Sequence, residues 1–208
     1  MLKDVKVFGI GFHKTATTSL SHALRHLGYQ VTGPNHVKDA DIAETYLAKA
    51  RAISKEYDAF QDNPWPLVYK EMDQMWPNSK FILTVRDPDK WLKSQLGHFA
   101  HRVTPMRKLI YGDAHGCPAG NEARYVQVFN DHNAAVRSYF AGREGDLLEI
   151  DLTQSPDWDV LCDFLGVEAP SIPFPHRNPA SRRQWRSKLS PKKLGKLYRK
   201  ITGRPARK

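Results

Sequence analysis

Cysteine is scarce, with only Cys117 and Cys162 in a chain of 208 residues. One disulfide at most could form, neither thiol belongs to a Cys-x-x-Cys pair, and no ligand-spaced histidine stands beside either, so metal binding and redox chemistry are not expected. Long apolar runs are missing too. No stretch approaches the roughly 18 residues of a spanning helix, and Met1 to Phe12 carries Lys3, Asp4 and Lys6 where a signal peptide needs an unbroken apolar segment. The expectation is a soluble cytoplasmic protein. There is no internal repeat, and the 14 prolines and 13 glycines are not clustered, which excludes fibrous and low-complexity chains. With 40% hydrophobic residues, a chain of this length should bury roughly 70% of its unfolded surface and build a core.

Acidic residues are missing from the basic C-terminal stretch. Residues 181–208 contain no Asp or Glu but hold twelve of the 32 lysines and arginines, which leaves 20 basic against 22 acidic residues and a net charge of −2 over residues 1–180. The formal charge of +10 therefore belongs to the tail, and specific nucleic-acid binding by the body is not expected. A domain over residues 1–180 followed by a basic tail over 181–208 is the expected organisation. Within the tail, Leu189, Leu194, Leu197, Tyr198 and Ile201 recur at roughly helical spacing among Lys192, Lys193, Lys196, Arg199 and Lys200. Such a basic amphipathic helix suits an anionic membrane, an acidic partner, nucleic acid or its own domain, and the sequence does not choose among them.

Along the body, strand and helix patterns alternate. Val5 to Ile10 is a short apolar run ending at Gly11, and Leu20, Ala23, Leu24 and Leu27 then follow helical spacing up to Gly28. Tyr29 to Thr32 reads as a second strand, Ala40 to Tyr57 as an amphipathic helix and Ala59 to Gln61 as a brief third strand. Two prolines in Asn63-Pro64-Trp65-Pro66 argue against regular structure there, and Leu67 to Trp76 follows as a helix. Lys80 to Val85 has the near-continuous apolar character of a strand buried on both faces. Pro88 opens a helix to about His101, Thr104 to Gly120 reads as a mobile loop, and Glu122 to Phe140 is helical by period. Asp146 to Ile150 is a last strand, and Trp158 to Leu165 a helix stopped by Gly166. This alternation predicts an α/β fold with a mostly parallel central sheet covered by helices on both faces. Ligands bind such sheets beyond the carboxyl ends of the strands.

The first strand exit reads Gly9-Ile10-Gly11-Phe12-His13-Lys14-Thr15-Ala16-Thr17-Thr18-Ser19. Backbone N–H groups at a helix start, the helix dipole, one lysine and several hydroxyls converge there on a volume fit for a phosphate. The Walker A pattern requires glycine directly before the lysine, and here that position is His13. The blander reading makes Thr17 or Thr18 a helix cap and Lys14 a solvated cation. At the exit of the Lys80 to Val85 strand stands Arg86, with Ser94 eight residues on inside the next helix. A guanidinium fork and a hydroxyl suit a second phosphate, whereas Arg86 and Asp87 could also form an ordinary surface ion pair.

On these residues the chain resembles the P-loop-like sulfotransferases that use 3′-phosphoadenosine 5′-phosphosulfate, and in particular their small bacterial-type branch. Phe12 to Ser19 is similar to the family's 5′-phosphosulfate loop, Arg86 with Ser94 to its 3′-phosphate motif, and Asp146 to Asp151, Trp158 to Gly166 and Pro173 to Asn178 to its C-terminal part. The resemblance implies a three-layer P-loop-like fold. It also implies transfer of a sulfuryl group to a hydroxyl or amine acceptor, release of adenosine 3′,5′-bisphosphate and no requirement for a metal. Lys14 is the implied catalytic cation, with Thr15, Ala16 and Thr17 lending N–H groups, Thr17, Thr18 and Ser19 hydroxyls around the phosphosulfate, and Arg177 a second 3′-phosphate contact. The family's usual histidine base is absent at the exit of the third strand, where Asp62 stands instead as candidate base or turn cap. His13 would touch the sulfuryl group or pack against the turn. His132 is expected to be structural, and Trp65 and Trp91 to be core. The acceptor, whether small molecule, glycan or lipid, is not specified. The rivals are a P-loop kinase of small molecules and a non-enzymatic nucleotide-binding module tethered by its tail.

Overall fold

A computed structural model describes residue 3 and residues 5–154 and 156–175. The segment 181–208 and Arg177 lie outside the described residues.

Five short strands form one sheet, β1 (Val7–Gly9), β2 (Val31–Thr32), β3 (Ala59–Phe60), β4 (Lys80–Thr84) and β5 (Leu147–Ile150). Their order is β2-β3-β1-β4-β5 and every pair is parallel. Between them run α1 (Thr17–His26), α2 (Ile42–Ile53), α3 (Tyr69–Met75), α4 (Pro88–Phe99), α5 (Pro105–Tyr111), α6 (Glu122–Tyr139) and, after β5, α7 (Trp158–Leu165). The expected α/β three-layer architecture is thus present, with helices on both faces.

Side chains alternate across the pleat, and the alternation sorts the core into two layers. Val7, Ala59, Ile82 and Ile150 face Leu20, Ala23 and Leu24 of α1 and Trp158 and Leu161 of α7. Phe8, Phe60, Phe81 and Leu83 face Ala50 of α2, Met72 of α3 and Val136 of α6. The register places Phe8 opposite both Phe60 and Phe81. Their rings stack at centroid distances of 4.6 and 5.4 Å, an aromatic ladder across the three central strands. A third cluster, Phe12, Ile42, Trp91, Met106, Tyr111, Tyr125 and Phe129, packs α4, α5 and α6 together with the turn that follows β1.

Two segments differ from the sequence reading. The Asn63 to Pro66 stretch holds a single 3₁₀ turn, Trp65–Leu67, because a proline in the first turn forfeits only an N–H that has no helical partner there. The supposed mobile loop contains α5 and a 3₁₀ turn, Asp113–His115. Thr104 caps α5, its Oγ1 accepting from the Arg107 N–H at 3.2 Å, and Pro105 follows at the first helical position. Elsewhere the boundaries agree to within about two residues, except that α2 ends at Ile53 rather than Tyr57, and Gly166 ends α7 in the left-handed conformation at φ 66°. No helix among the described residues is long and apolar enough to cross a membrane.

His132, on α6, is structural as expected. Its Nε2–H donates to the Ile10 carbonyl at 2.8 Å and its ring stacks on Phe12 at 4.3 Å, tying α6 to the end of β1. Burial pushes its pKa down to about 4, despite that hydrogen bond. The unfolded chain protonates such a ring near pH 6.5, so unfolding takes up a proton between those values and stability falls as pH is lowered, by about 1.4 kcal/mol per unit. His132→Gln keeps a donor for Ile10 and should reduce by one proton the pH dependence of the unfolding free energy between pH 5 and 6.5. An unaltered slope in denaturant titrations would show that the ring is protonated in the folded protein.

Candidate active site

The turn between β1 and α1 is held from three sides. Gly11 passes so close to β4 that a Cβ would lie 2.2 Å from the Thr84 carbonyl oxygen, so no other residue fits. The His13 carbonyl accepts from Trp91 Nε1 at 3.0 Å and from Gln95 Nε2 at 3.1 Å, both on the buried face of α4. Thr15 Oγ1 donates to the Phe12 carbonyl at 2.6 Å and sits 2.6 Å from Thr84 Oγ1, while its N–H reaches the Phe12 carbonyl at 3.3 Å. Thr15 therefore braces the turn with both its groups, and lends neither to a phosphate in this arrangement.

These braces hold two residues in the left-handed region, Lys14 at φ 75° and Ala16 at φ 69°. Each costs about 1 kcal/mol or more outside glycine, and such alternation turns successive N–H groups toward one concave side. Ala16 occupies the cap position of α1 and supplies no side-chain cap, and the first helical bond runs from Leu20 N–H to the Ala16 carbonyl at 3.1 Å. The first-turn N–H groups of α1 thus lack a side-chain cap, an arrangement that suits an anion. Thr17 is buried, Thr18 is exposed on the first turn and Ser19 is buried. The Lys14 ammonium lies 5.8 Å from the centre of the Phe99 ring.

At the exit of β3, Asp62 stands beside this turn, itself at φ 63°. Its Oδ2 accepts from Thr17 Oγ1 at 3.2 Å and its Oδ1 from the Asn63 N–H at 2.7 Å. The carboxylate thus ties its own turn, through Asn63, to the first turn of α1, through Thr17. Burial raises its pKa above the usual carboxylate range, against the pull of those two hydrogen bonds and of the charges on Lys14 and Arg107.

His13 is buried, and its imidazole is held on both nitrogens. Nε2 lies 3.4 Å from Arg107 Nη2 and Nδ1 lies 3.3 Å from Asn63 Nδ2. Burial, then the charges of Arg107 and Lys14, bring its pKa down to about 3, so the ring is neutral. A guanidinium can only donate, which makes Nε2 the acceptor and puts the proton on Nδ1. The Asn63 amide, turned by 180°, would then accept that proton's hydrogen bond through Oδ1, an oxygen otherwise buried without a partner.

From the exit of β4, Arg86 Nη1 donates to the Lys14 carbonyl at 3.1 Å, and its Nε is buried without a hydrogen-bond partner. Ser94 is half-buried one residue before Gln95 on α4, where its carbonyl accepts from His98 Nδ1 at 2.8 Å. The neighbouring strands β3, β1 and β4 thus deliver Asp62, Lys14 and Arg86 to one edge of the sheet. Sequence reasoning missed Asn63, Gln95, Arg107, Tyr111 and Tyr125. The signal for Gln95 was its spacing of four from Trp91, and for Arg107 and Tyr111 the Thr104-Pro105 helix start ahead of another spacing of four. A cavity of about 620 Å³ lined by Ile42, Glu44, Lys108, Leu109 and Asp113 lies between α2 and α5, and includes none of these groups. Among the described residues no three His, Cys, Asp or Glu side chains gather as a metal site.

An all-parallel α/β sheet with an uncapped, lysine-bearing helix start at one strand exit and an arginine at the next has the architecture of the P-loop-like class. Residues 6–183 match the family model described as a sulfotransferase domain, and the chain belongs to that family. A relative in Aspergillus versicolor, the Ava biosynthesis cluster protein M, is 25% identical over 215 residues, spanning 83% of this chain and 80% of that protein.

Proposed function

We propose that the protein transfers a sulfuryl group from 3′-phosphoadenosine 5′-phosphosulfate to a hydroxyl or amine acceptor, with Asp62 as base. The carrying observation is the convergence of the Lys14 turn, Asp62 and Arg86 at the carboxyl ends of three adjacent strands. The residues fit the donor's two phosphate ends, because the α1 N-terminus lacks a side-chain cap and the Arg86 Nε is buried with its donor unused. When bound, the donor supplies an activated sulfuryl group attached to a phosphate that gathers negative charge on departure.

Lys14 places a cation beside that developing charge, and the N–H groups of Ala16, Thr17 and Thr18 add fixed dipoles, so both favour the transition state over the ground state. Ser19 extends this binding surface from within α1. Arg86 and Ser94 hold the ribose 3′-phosphate, with Arg177 as a second contact there. Asp62, oriented by Thr17 and made more basic by burial, accepts the acceptor's proton. His13 is neutral and fixed on both sides, which suits it to shaping the sulfuryl side of the site rather than to carrying protons. The basic tail is proposed as a contact for an anionic membrane or an acidic partner.

Incubation with labelled donor should yield adenosine 3′,5′-bisphosphate. ATP consumption with magnesium and no bisphosphate would identify a kinase, and turnover of neither a binding module. Lys14→Ala should lower kcat by about 100-fold or more, the scale of one preorganised electrostatic donor; weaker donor binding at constant kcat would remove Lys14 from the chemistry. Arg86→Ala should strongly weaken binding of adenosine 3′,5′-bisphosphate and barely affect adenosine 5′-phosphosulfate, which lacks the 3′-phosphate. Equal losses for the two in calorimetry would sink that assignment.

Asp62→Asn should lower kcat by about 10² to 10⁴ with donor affinity retained. A base works ionised, so activity in the parent should rise with pH through the Asp62 pKa, which burial places above the ordinary value of about 3.9. That acidic limb should disappear in the variant. Normal turnover by Asp62→Asn would return the residue to its capping role.

A further inference from the structure

Arg107 is the least explained charge among the described residues. It sits on the inner face of α5 with only 5% of its surface exposed, and no carboxylate pairs with it among the described ion pairs. Its contacts are weak substitutes. Nη2 lies 3.4 Å from His13 Nε2 and 3.5 Å from Gln95 Oε1, and the guanidinium carbon lies 4.1 Å from the Phe99 ring centre. Nη1 is buried with no hydrogen-bond partner. Asp62 reaches this cation only through space, and no carboxylate touches it directly, so its burial leaves room for an anion in direct contact.

Two further donors accompany it. Tyr111 and Tyr125 stack face to face at 3.6 Å, and both hydroxyls are buried without a well-formed hydrogen bond, the Tyr125 oxygen lying beside the Arg107 guanidinium. Burial raises both phenol pKa values, that of Tyr125 to about 12, so each keeps its proton and can donate. Three unused donors, the Arg107 Nη1 and two phenols, therefore gather beside His13. Asp62 lies close enough for its charge to act on Tyr111 and to be acted on by Arg107. The cluster packs against Gln95, Phe99 and Trp91 of α4 beside the His13 ring, whose other nitrogen meets Asn63 next to Asp62.

We propose that Arg107, Tyr111 and Tyr125 form a buried carboxylate-binding subsite for the acceptor, which makes the preferred substrate a hydroxy acid. A carboxylate carries the lone pairs for three donors and the charge that offsets the guanidinium. With that group seated there, the acceptor is held on the side of the Lys14 turn where Asp62 stands. This assignment rests on the transferase reading for the role of the bound group, though not for its binding.

The test uses the full chain with adenosine 3′,5′-bisphosphate present and a panel of hydroxy acids, headed by 4-hydroxybenzoate, each beside its uncharged amide. Calorimetry should show the acids binding at least tenfold more tightly than their amides. Arg107→Met should erase that preference with nucleotide affinity retained, and Tyr125→Phe, which keeps the ring stack, should narrow it several-fold. The melting temperature of Arg107→Met should stay level or rise, because the variant no longer buries a lone charge; a marked fall would make the arginine structural. No charge preference anywhere in the panel overturns the subsite. So does an Arg107→Met loss that is equal for acids and amides, which would assign the guanidinium to the sulfuryl group. Carboxylate binding without bisphosphate release from the donor refutes the transferase reading alone, and release without a carboxylate preference refutes the subsite alone.

Discussion

The peptide between His13 and Lys14 is the point on which the rest of the site depends. On its own, a turn with two left-handed non-glycine residues would relax, losing the alternation that aims its N–H groups together. Here the His13 carbonyl is taken by Trp91 and Gln95, the Lys14 carbonyl by Arg86, and the Thr15 hydroxyl by Phe12 and Thr84. Each brace comes from the β1 turn itself, β4 or the connection after β4, so the strain is held by the same elements that carry the proposed second phosphate contact. Arg86 has two parts in this scheme, since one nitrogen fixes the turn and another remains for a ligand.

Electrostatic contrast at this edge comes from unequal burial and unequal partners. His13 and Asp62 stand close to the same two cations, yet desolvation drives them in opposite senses, lowering the imidazole to about 3 and raising the carboxyl. A group that is cationic when protonated loses its proton, and one that is anionic when deprotonated gains basicity. The fold thereby sorts two ordinary titratable residues into a neutral imidazole and a carboxyl of raised pKa.

How much of this was legible from the chain depended on the range of the cause. The β4 run, the Gly166 stop and the glycine-lysine-hydroxyl turn were readable because their signals are local, written in periodicity and turn chemistry. The α5 segment was read as a loop because His101, Gly112, His115, Gly116 and Pro118 dilute its pattern, although Thr104-Pro105 is itself a helix start. Asp62 was found by its position after a strand. Arg107, Tyr111, Tyr125 and Asn63 were not, since their meaning lies in meeting His13 across 94 residues of sequence in one case and 50 in another. Burial of a polar side chain is a tertiary fact, and no spacing rule states it.

The sheet order carries a consequence for how the molecule assembles. β1 is first in the chain and central in the sheet, yet its partners β3 and β4 begin only at Ala59 and Lys80. Its aromatic Phe8, destined for the middle of the Phe60–Phe8–Phe81 ladder, meets partners 52 and 73 positions further along the chain, each through a parallel crossover. Contacts of that separation are slow to form and leave an apolar edge open meanwhile. Assembly and recognition are therefore one event at this edge, because the Lys14 turn takes its shape only when β4 has arrived to hold it. A ligand seated there would stabilise the last long-range pairing as well as the site, acting as a clasp on the whole sheet.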